Sequence, residues 1–190
     1  DLHSFPTRRS SDRPLAPEPS VRYRHQMAVD TVRKESLLFG GSTNDTWSLA
    51  VGVLASYRPF GAGCMGTAGV PMLYAAAGSL PRIQASFSIE VGGVPGAAVL
   101  LFGRSSASWA GIPLPLALDG LGLTGCRLLV GGETVLPMVA AAGTARLALT
   151  IPNDGQLVGL TFFNQALVLD PGANPAGLTL SNGASGVVGR

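Results

Sequence analysis

Between residues 61 and 190 the chain carries ten charged side chains, five Arg and five Asp or Glu, while Gly and Pro interrupt it every few residues. That combination narrows the fold more than any motif does. A helix needs a charged or polar outer face and tolerates few breakers. Short β-strands joined by Gly and Pro turns accept this composition. The first 60 residues differ, with eight Lys or Arg and six Asp or Glu. The formal net charge of +2 gives no electrostatic footprint for nucleic acid. No run of 18 apolar residues escapes interruption by Gly, Pro or charge, so no membrane-spanning helix is expected. The first residues lack the basic and apolar regions of a signal peptide. For an exported protein that signal is expected upstream of this stretch.

Hydrophobic periodicity divides residues 61–190 into strands. Ala85–Val91 alternates strictly, with Phe87, Ile89 and Val91 on one face and Ser86, Ser88 and Glu90 on the other. Thr144–Ile151 alternates in the same way, setting Ala145, Leu147, Leu149 and Ile151 against Thr144, Arg146 and Thr150. This is the pattern of half-buried antiparallel strands. Ala98–Phe102, Arg127–Val130, Leu157–Phe163, Gln165–Leu169 and Leu178–Leu180 are apolar runs of core-strand type. Met72–Gly78 is the one place where a helical turn is expected. Turn signals recur about every ten residues, as in sandwiches and barrels. The expected architecture is all-β, an antiparallel β-sandwich with a jelly-roll-like path as the alternative.

The N-terminal part reads differently. Residues 3–12, His3-Ser4-Phe5-Pro6-Thr7-Arg8-Arg9-Ser10-Ser11-Asp12, resemble a translated sequencing adapter, so residues 1–12 are set aside as an artefact expected to be disordered and to pack on nothing. Residues 13–20 read as a Pro-rich extended linker. In residues 21–60 an apolar run, Leu37-Leu38-Phe39, ends in Gly40-Gly41, and Trp47 follows six residues after the second glycine. This pattern resembles the kelch repeat, whose blades are four-stranded antiparallel sheets around a propeller axis. The Tyr usual between the glycines and the Trp is missing, and one partial repeat is present. The resemblance implies positive-φ turn roles for Gly40 and Gly41, and for Trp47 a place between neighbouring blades. A single blade cannot bury both faces of its sheet.

From Phe60-Gly61-Ala62-Gly63-Cys64 onward the chain resembles a C-terminal domain of predicted secreted bacterial proteins that often follows propeller repeats. The stretches that carry the resemblance include Trp109-Ala110-Gly111-Ile112-Pro113, Gly125-Cys126-Arg127-Leu128, Ile151-Pro152-Asn153, Gly159-Leu160-Thr161-Phe162-Phe163-Asn164-Gln165 and Leu169-Asp170-Pro171-Gly172-Ala173-Asn174. It implies export, a propeller upstream and this domain at the C-terminus, with residues 61–190 folding as a unit. Cys64 and Cys126 are the only cysteines. An even count in an exported β-protein favours a disulfide between them over two buried free thiols.

Catalytic readings are thin. His25 and His3 are the only histidines, Lys34 the only lysine, and no Cys or acidic cluster stands beside His25 at ligand spacing. Asn153-Asp154 and Asp170–Asn174 are oxygen-rich, but calcium needs about six to eight oxygens, and turn chemistry explains both loops. Asp154 and Asp170 as paired carboxylates have nothing to bring them together. Nucleophile elbow, phosphate loop and dinucleotide fingerprint are absent. Trp109 is the candidate ligand contact, forming with Phe162 and Phe163 an aromatic platform for a sugar ring if exposed and packing in the core if not. The expected function is therefore a non-catalytic extracellular attachment or assembly domain, with no cofactor and no metal, secreted or held at the cell surface. Its expected partners are cell-surface components or polysaccharide. Two alternatives stand beside it: a carbohydrate-binding module using Trp109, and the C-terminal part of an enzyme whose active site lies in the missing propeller.

Overall fold

The computed structural model describes residues 24–30, 35–40, 45–50 and 52–190; the adapter-like segment and the Pro-rich linker lie outside them. The chain divides into two compact units, Asp1–Val51 and Gly52–Arg190. In the first, β1 (His25–Asp30), β2 (Glu35–Gly40) and β3 (Thr46–Ala50) form one antiparallel sheet in that order. Met27, Leu38 and Trp47 stand opposite one another across it. Gly40 has φ +75°, as a turn after β2 requires, while Gly41 lies outside the described residues. The Trp47 indole N–H donates to Asp45 Oδ2 at 2.5 Å.

The second unit contains β4 (Ser56–Phe60), β5 (Met72–Ala75), β6 (Ser86–Gly92) and β7 (Ala98–Gly103), then four two-residue strands, β8 (Ser108–Trp109), β9 (Ile112–Pro113), β10 (Leu116–Ala117) and β11 (Arg127–Leu128). After these come β12 (Thr134–Pro137), β13 (Val139–Ala141), β14 (Thr144–Thr150), β15 (Thr161–Leu169) and β16 (Leu178–Val187). One sheet runs β12-β7-β15-β16-β4 and the other β13-β14-β6-β5, with every pairing antiparallel. The all-β sandwich is therefore what forms. Its path is not a jelly roll. With β4 left out, the two orders are those of an immunoglobulin-type sandwich with one added strand on its second sheet.

Three expectations are corrected. The boundary between the units falls at residue 51 and not at 60, because β4 pairs with β16 from Ser56↔Val187 to Phe60↔Gly183 and forms the edge of the larger sheet. Met72–Ala75 is a strand, not a helical turn, with Leu73 buried and Met72 and Tyr74 exposed. The run from Leu157 is split: Gly155–Leu157 is a 3-10 turn whose Gln156 N–H donates to Asp154 Oδ1, and β15 starts at Thr161.

The core between the sheets takes Phe87, Ile89 and Val91 from β6 and Leu100, Phe162 and Val168 from the facing sheet, all at most 4% exposed. The excursion 104–133 lies over the outer face of the larger sheet and buries a second cluster around Leu118, Leu123, Leu128 and Leu180. The Cys64–Cys126 disulfide closes that cluster, with Cα atoms 4.8 Å apart across 62 residues of sequence. Gln165 on β15 is fully buried between the layers; its Oε1 accepts from Leu129 N–H and its Nε2 donates to the carbonyls of Arg127 and Ser181.

β16 is the unexpected element. Only Leu178–Leu180 reads as strand, yet pairing with β15 continues to Val187 through Ser181-Asn182-Gly183-Ala184-Ser185-Gly186. The small residues are there to be covered. A Cβ at Gly183 would collide with the Phe60 ring and one at Gly186 with the Phe162 ring. Gly186→Ala is therefore expected to cost about 2–3 kcal/mol by overpacking. Gly120→Ala, with nothing within 4 Å of the new methyl group, should stay within about 0.5 kcal/mol, both read by urea denaturation. Loss of the disulfide in Cys64→Ser/Cys126→Ser should cost about 4 kcal/mol by loop-closure entropy. Intact mass after denaturing alkylation should show both thiols blocked without reductant and two alkyl groups added with it.

Candidate functional site

The two sheets do not meet along their whole length. Between them lies an open cleft of about 400 Å³, within the size range of ligand sites. Its floor is aromatic. Phe102 and Phe162 stack with ring centroids 5.1 Å apart and 12° between planes, and Phe87 meets Phe162 edge-on at 6.2 Å. Leu136 on β12 and Leu149 on β14 form facing walls, and Leu160, half exposed, stands at the mouth. The lining holds no ionisable side chain; Thr134 and Thr150, both exposed, supply its hydroxyl groups. Such a surface offers apolar contact and shape, not proton transfer or a nucleophile of lowered pKa.

Local sequence explains the cleft. The alternation of β6 and β14 aims Phe87 and Leu149 inward, as their period of two requires. Phe162 opens the inward row Phe162, Asn164, Ala166, Val168 of β15, and Gly186 on β16 leaves the space its ring occupies. Behind the floor, Tyr57 on β4 packs edge-on against Phe87 at 5.1 Å, and its hydroxyl lies 3.4 Å from Asn164 Oδ1. Burial pushes the Tyr57 phenol well above its ordinary range.

The residues singled out in the sequence are dispersed. Trp109 ends β8, opposite Ile112 in a hairpin whose two turn residues, Ala110 and Gly111, have φ of +49° and +82°. That is type I′ geometry. The indole is partly buried, packs on the second cluster and lies against Gly132, so part of its apolar surface is already spent on the protein. Asp170 is buried and accepts from the N–H and hydroxyl of Thr67 at 2.7 and 2.8 Å. Asn174 bonds the carbonyl and N–H of Leu178. Asp154 and Asp170 flank opposite ends of β15, about 30 Å of strand apart, and do not form a pair. His25 stands exposed on β1, and among the described residues no three His, Cys, Asp or Glu are grouped to hold a metal ion.

Of the cleft residues only Phe162 was singled out in the sequence, as part of an aromatic platform with Trp109 and Phe163; the rest of the lining, Gln165 and the small polar residues of β16 were not read as site residues. The signal available was inward periodicity on β6 and β14, which places Phe87 and Leu149 on the buried face but not at an opening in it.

A phenol that must stay neutral when folded carries a pH signature. Its folded pKa is raised, so the stabilisation is complete below the unfolded value of about 10 and is lost as pH rises above it. Denaturation midpoints are expected to fall above pH 10, and Tyr57→Phe should flatten that fall. The ultraviolet titration of the folded protein should show one Tyr resisting ionisation until unfolding. No protein-family model, curated protein or solved structure matches this chain.

Proposed function

We propose that the Gly52–Arg190 unit is a non-catalytic accessory module that attaches or assembles an exported protein at the cell surface. The observation that carries this reading is the cleft itself: an aromatic floor and aliphatic walls with no ionisable side chain in its lining. A site of that kind holds a partner through apolar burial. Export is supported by the Cys64–Cys126 disulfide, which suits an oxidising compartment. The kelch-like pattern at Gly40, Gly41 and Trp47 supports a propeller fragment ahead of the module. A sugar platform at Trp109 is the weaker reading, because the indole already packs on its own domain.

The test pairs binding with turnover. Purified protein should cosediment with bacterial cell envelopes and show no turnover of chromogenic esters, glycosides or peptides. Trp109→Ala is expected to lower stability by about 3 kcal/mol as a packing residue and to leave retention on envelopes unchanged at a temperature where it is folded. Turnover of any substrate in the panel, or failure to cosediment, would sink the attachment reading. Loss of retention in folded Trp109→Ala, together with glycan-array binding by the parent protein, would move the assignment to a carbohydrate module.

A further inference from the structure

The cleft borders a strand edge that stops being paired halfway along. β6 covers β14 from Thr144 to Thr150, but β13 covers it only from Thr144 to Arg146 on the other side. At Met138, whose N–H donates to Ala98 O, the chain changes sheets. Thr134–Pro137 pairs with β7 in the larger sheet, and Val139–Ala141 pairs with β14 in the smaller one. β12 and β13 thus form one strand bent across the sandwich. The bend closes the sandwich at Arg146 and leaves it open beyond, where the cleft lies.

Backbone direction along β14 follows from its pairing. Hydrogen bonds alternate along an antiparallel strand. Ile151 N–H donates to Ala85 O, toward the β6 side. Leu149 and Leu147 therefore also bond toward β6, and the N–H and C=O of Ala148 and Thr150 are turned to the side that β13 has left. Among the described residues none hydrogen-bonds to them there. The far edge of the same sheet is finished differently. On β5, Leu73 N–H donates to Asn182 Oδ1 at 2.8 Å and Leu73 O accepts from Asn182 Nδ2 at 3.1 Å. A side chain of β16 there takes the place of a neighbouring strand.

We propose that the opening beside Ala148 and Thr150 is the acceptor for a β-strand supplied by another polypeptide, with alternate apolar side chains seated in the cleft. It rests on the reading of the unit as an assembly module and names the chemistry of the partner. Free backbone donors and acceptors on a strand edge are satisfied by another strand, and main-chain pairing plus side-chain pockets is how extended peptides are held. The pocket repeats with the strand. Side chains two residues apart on a peptide lie about 7 Å apart on one face, the same repeat as Leu149 and Ile151 of the wall. The lining has no charge to match, so the inward positions of the guest are apolar and uncharged. A small apolar molecule would fill the cleft but leave Ala148 and Thr150 unpaired.

The test uses the full chain and a fluorescein-labelled ten-residue peptide alternating Val and Thr and ending in Lys, followed by fluorescence anisotropy. Two further peptides carry N-methyl groups on the amides of one edge or of the other. Saturable binding is expected, weakened at least tenfold by methylation of one edge and unchanged by methylation of the opposite edge. Leu160→Asp, an exposed change at the mouth, should weaken binding at least tenfold while thermal unfolding stays within about 3 °C, since surface changes are usually small. Equal binding of both methylated peptides would overturn strand pairing in favour of simple apolar partition. Absence of peptide binding would overturn the acceptor, and continued cosedimentation with envelopes would leave the attachment reading standing. Concentration-dependent dimers that peptide disperses, and that Leu160→Asp abolishes, would reassign the strand to a second copy of this chain.

Discussion

The sheet β12-β7-β15-β16-β4 is covered on both faces, and Gln165 lies where its outer covering is fastened. One face packs on the smaller sheet through Leu100, Phe162 and Val168; the other receives the 104–133 excursion through Leu180 and its neighbours. A polar side chain buried between layers costs heavily unless its donors and acceptors are met. Gln165 meets both sets, tying Leu129 N–H and Arg127 O of the excursion to Ser181 O of β16. The disulfide acts on the same layer from another point, holding Cys126 to the segment that follows β4. Together they turn a long excursion with four two-residue strands into a fixed third layer.

Because that sheet is fixed from outside, its inner face can be incomplete. The sandwich is closed on one side by Asn182 against Leu73, and on the other by the strand that bends at Met138. Beyond the bend the walls part, and the stacked Phe102 and Phe162 rings are left as a floor. An apolar opening in a protein interior forfeits dispersion contacts along its lining. The disulfide and the second cluster stabilise the sheet that bears it. The cleft and the covered outer face are linked in this sense: the stability that tolerates the one comes from the other.

The central strands of both sheets were legible in the sequence, and most of their edges were not. The strict alternation of Phe87, Ile89 and Val91 identified both the strand and its buried face, and Ala145 and Leu147 did the same for β14. β4 was hidden because Pro59 reads as a breaker. At the edge of a sheet Pro is tolerated, since its missing N–H lies where no partner strand is required. The second half of β16 was hidden for a related reason. Ser181-Asn182-Gly183 has loop composition, yet Ser181 and Asn182 are buried with their side chains bonded, and Gly183 and Gly186 are beds for aromatic rings.

What the sequence by itself determined is the local layer of the fold. Scarce charge with frequent Gly and Pro argued against long helices, period-two runs set the strand faces, and the two cysteines favoured one bridge. These are properties of neighbouring residues, and steric and hydrophobic preferences act on them directly. The tertiary structure alone decided which strands lie side by side, that the sandwich takes an immunoglobulin-type and not a jelly-roll order, and where it stays open. Those depend on contacts between residues far apart in the chain, such as Gln165 with Leu129, Asn182 with Leu73 and Phe162 with Gly186. No local pattern encodes them, because each partner is an ordinary residue until the fold brings the other to it.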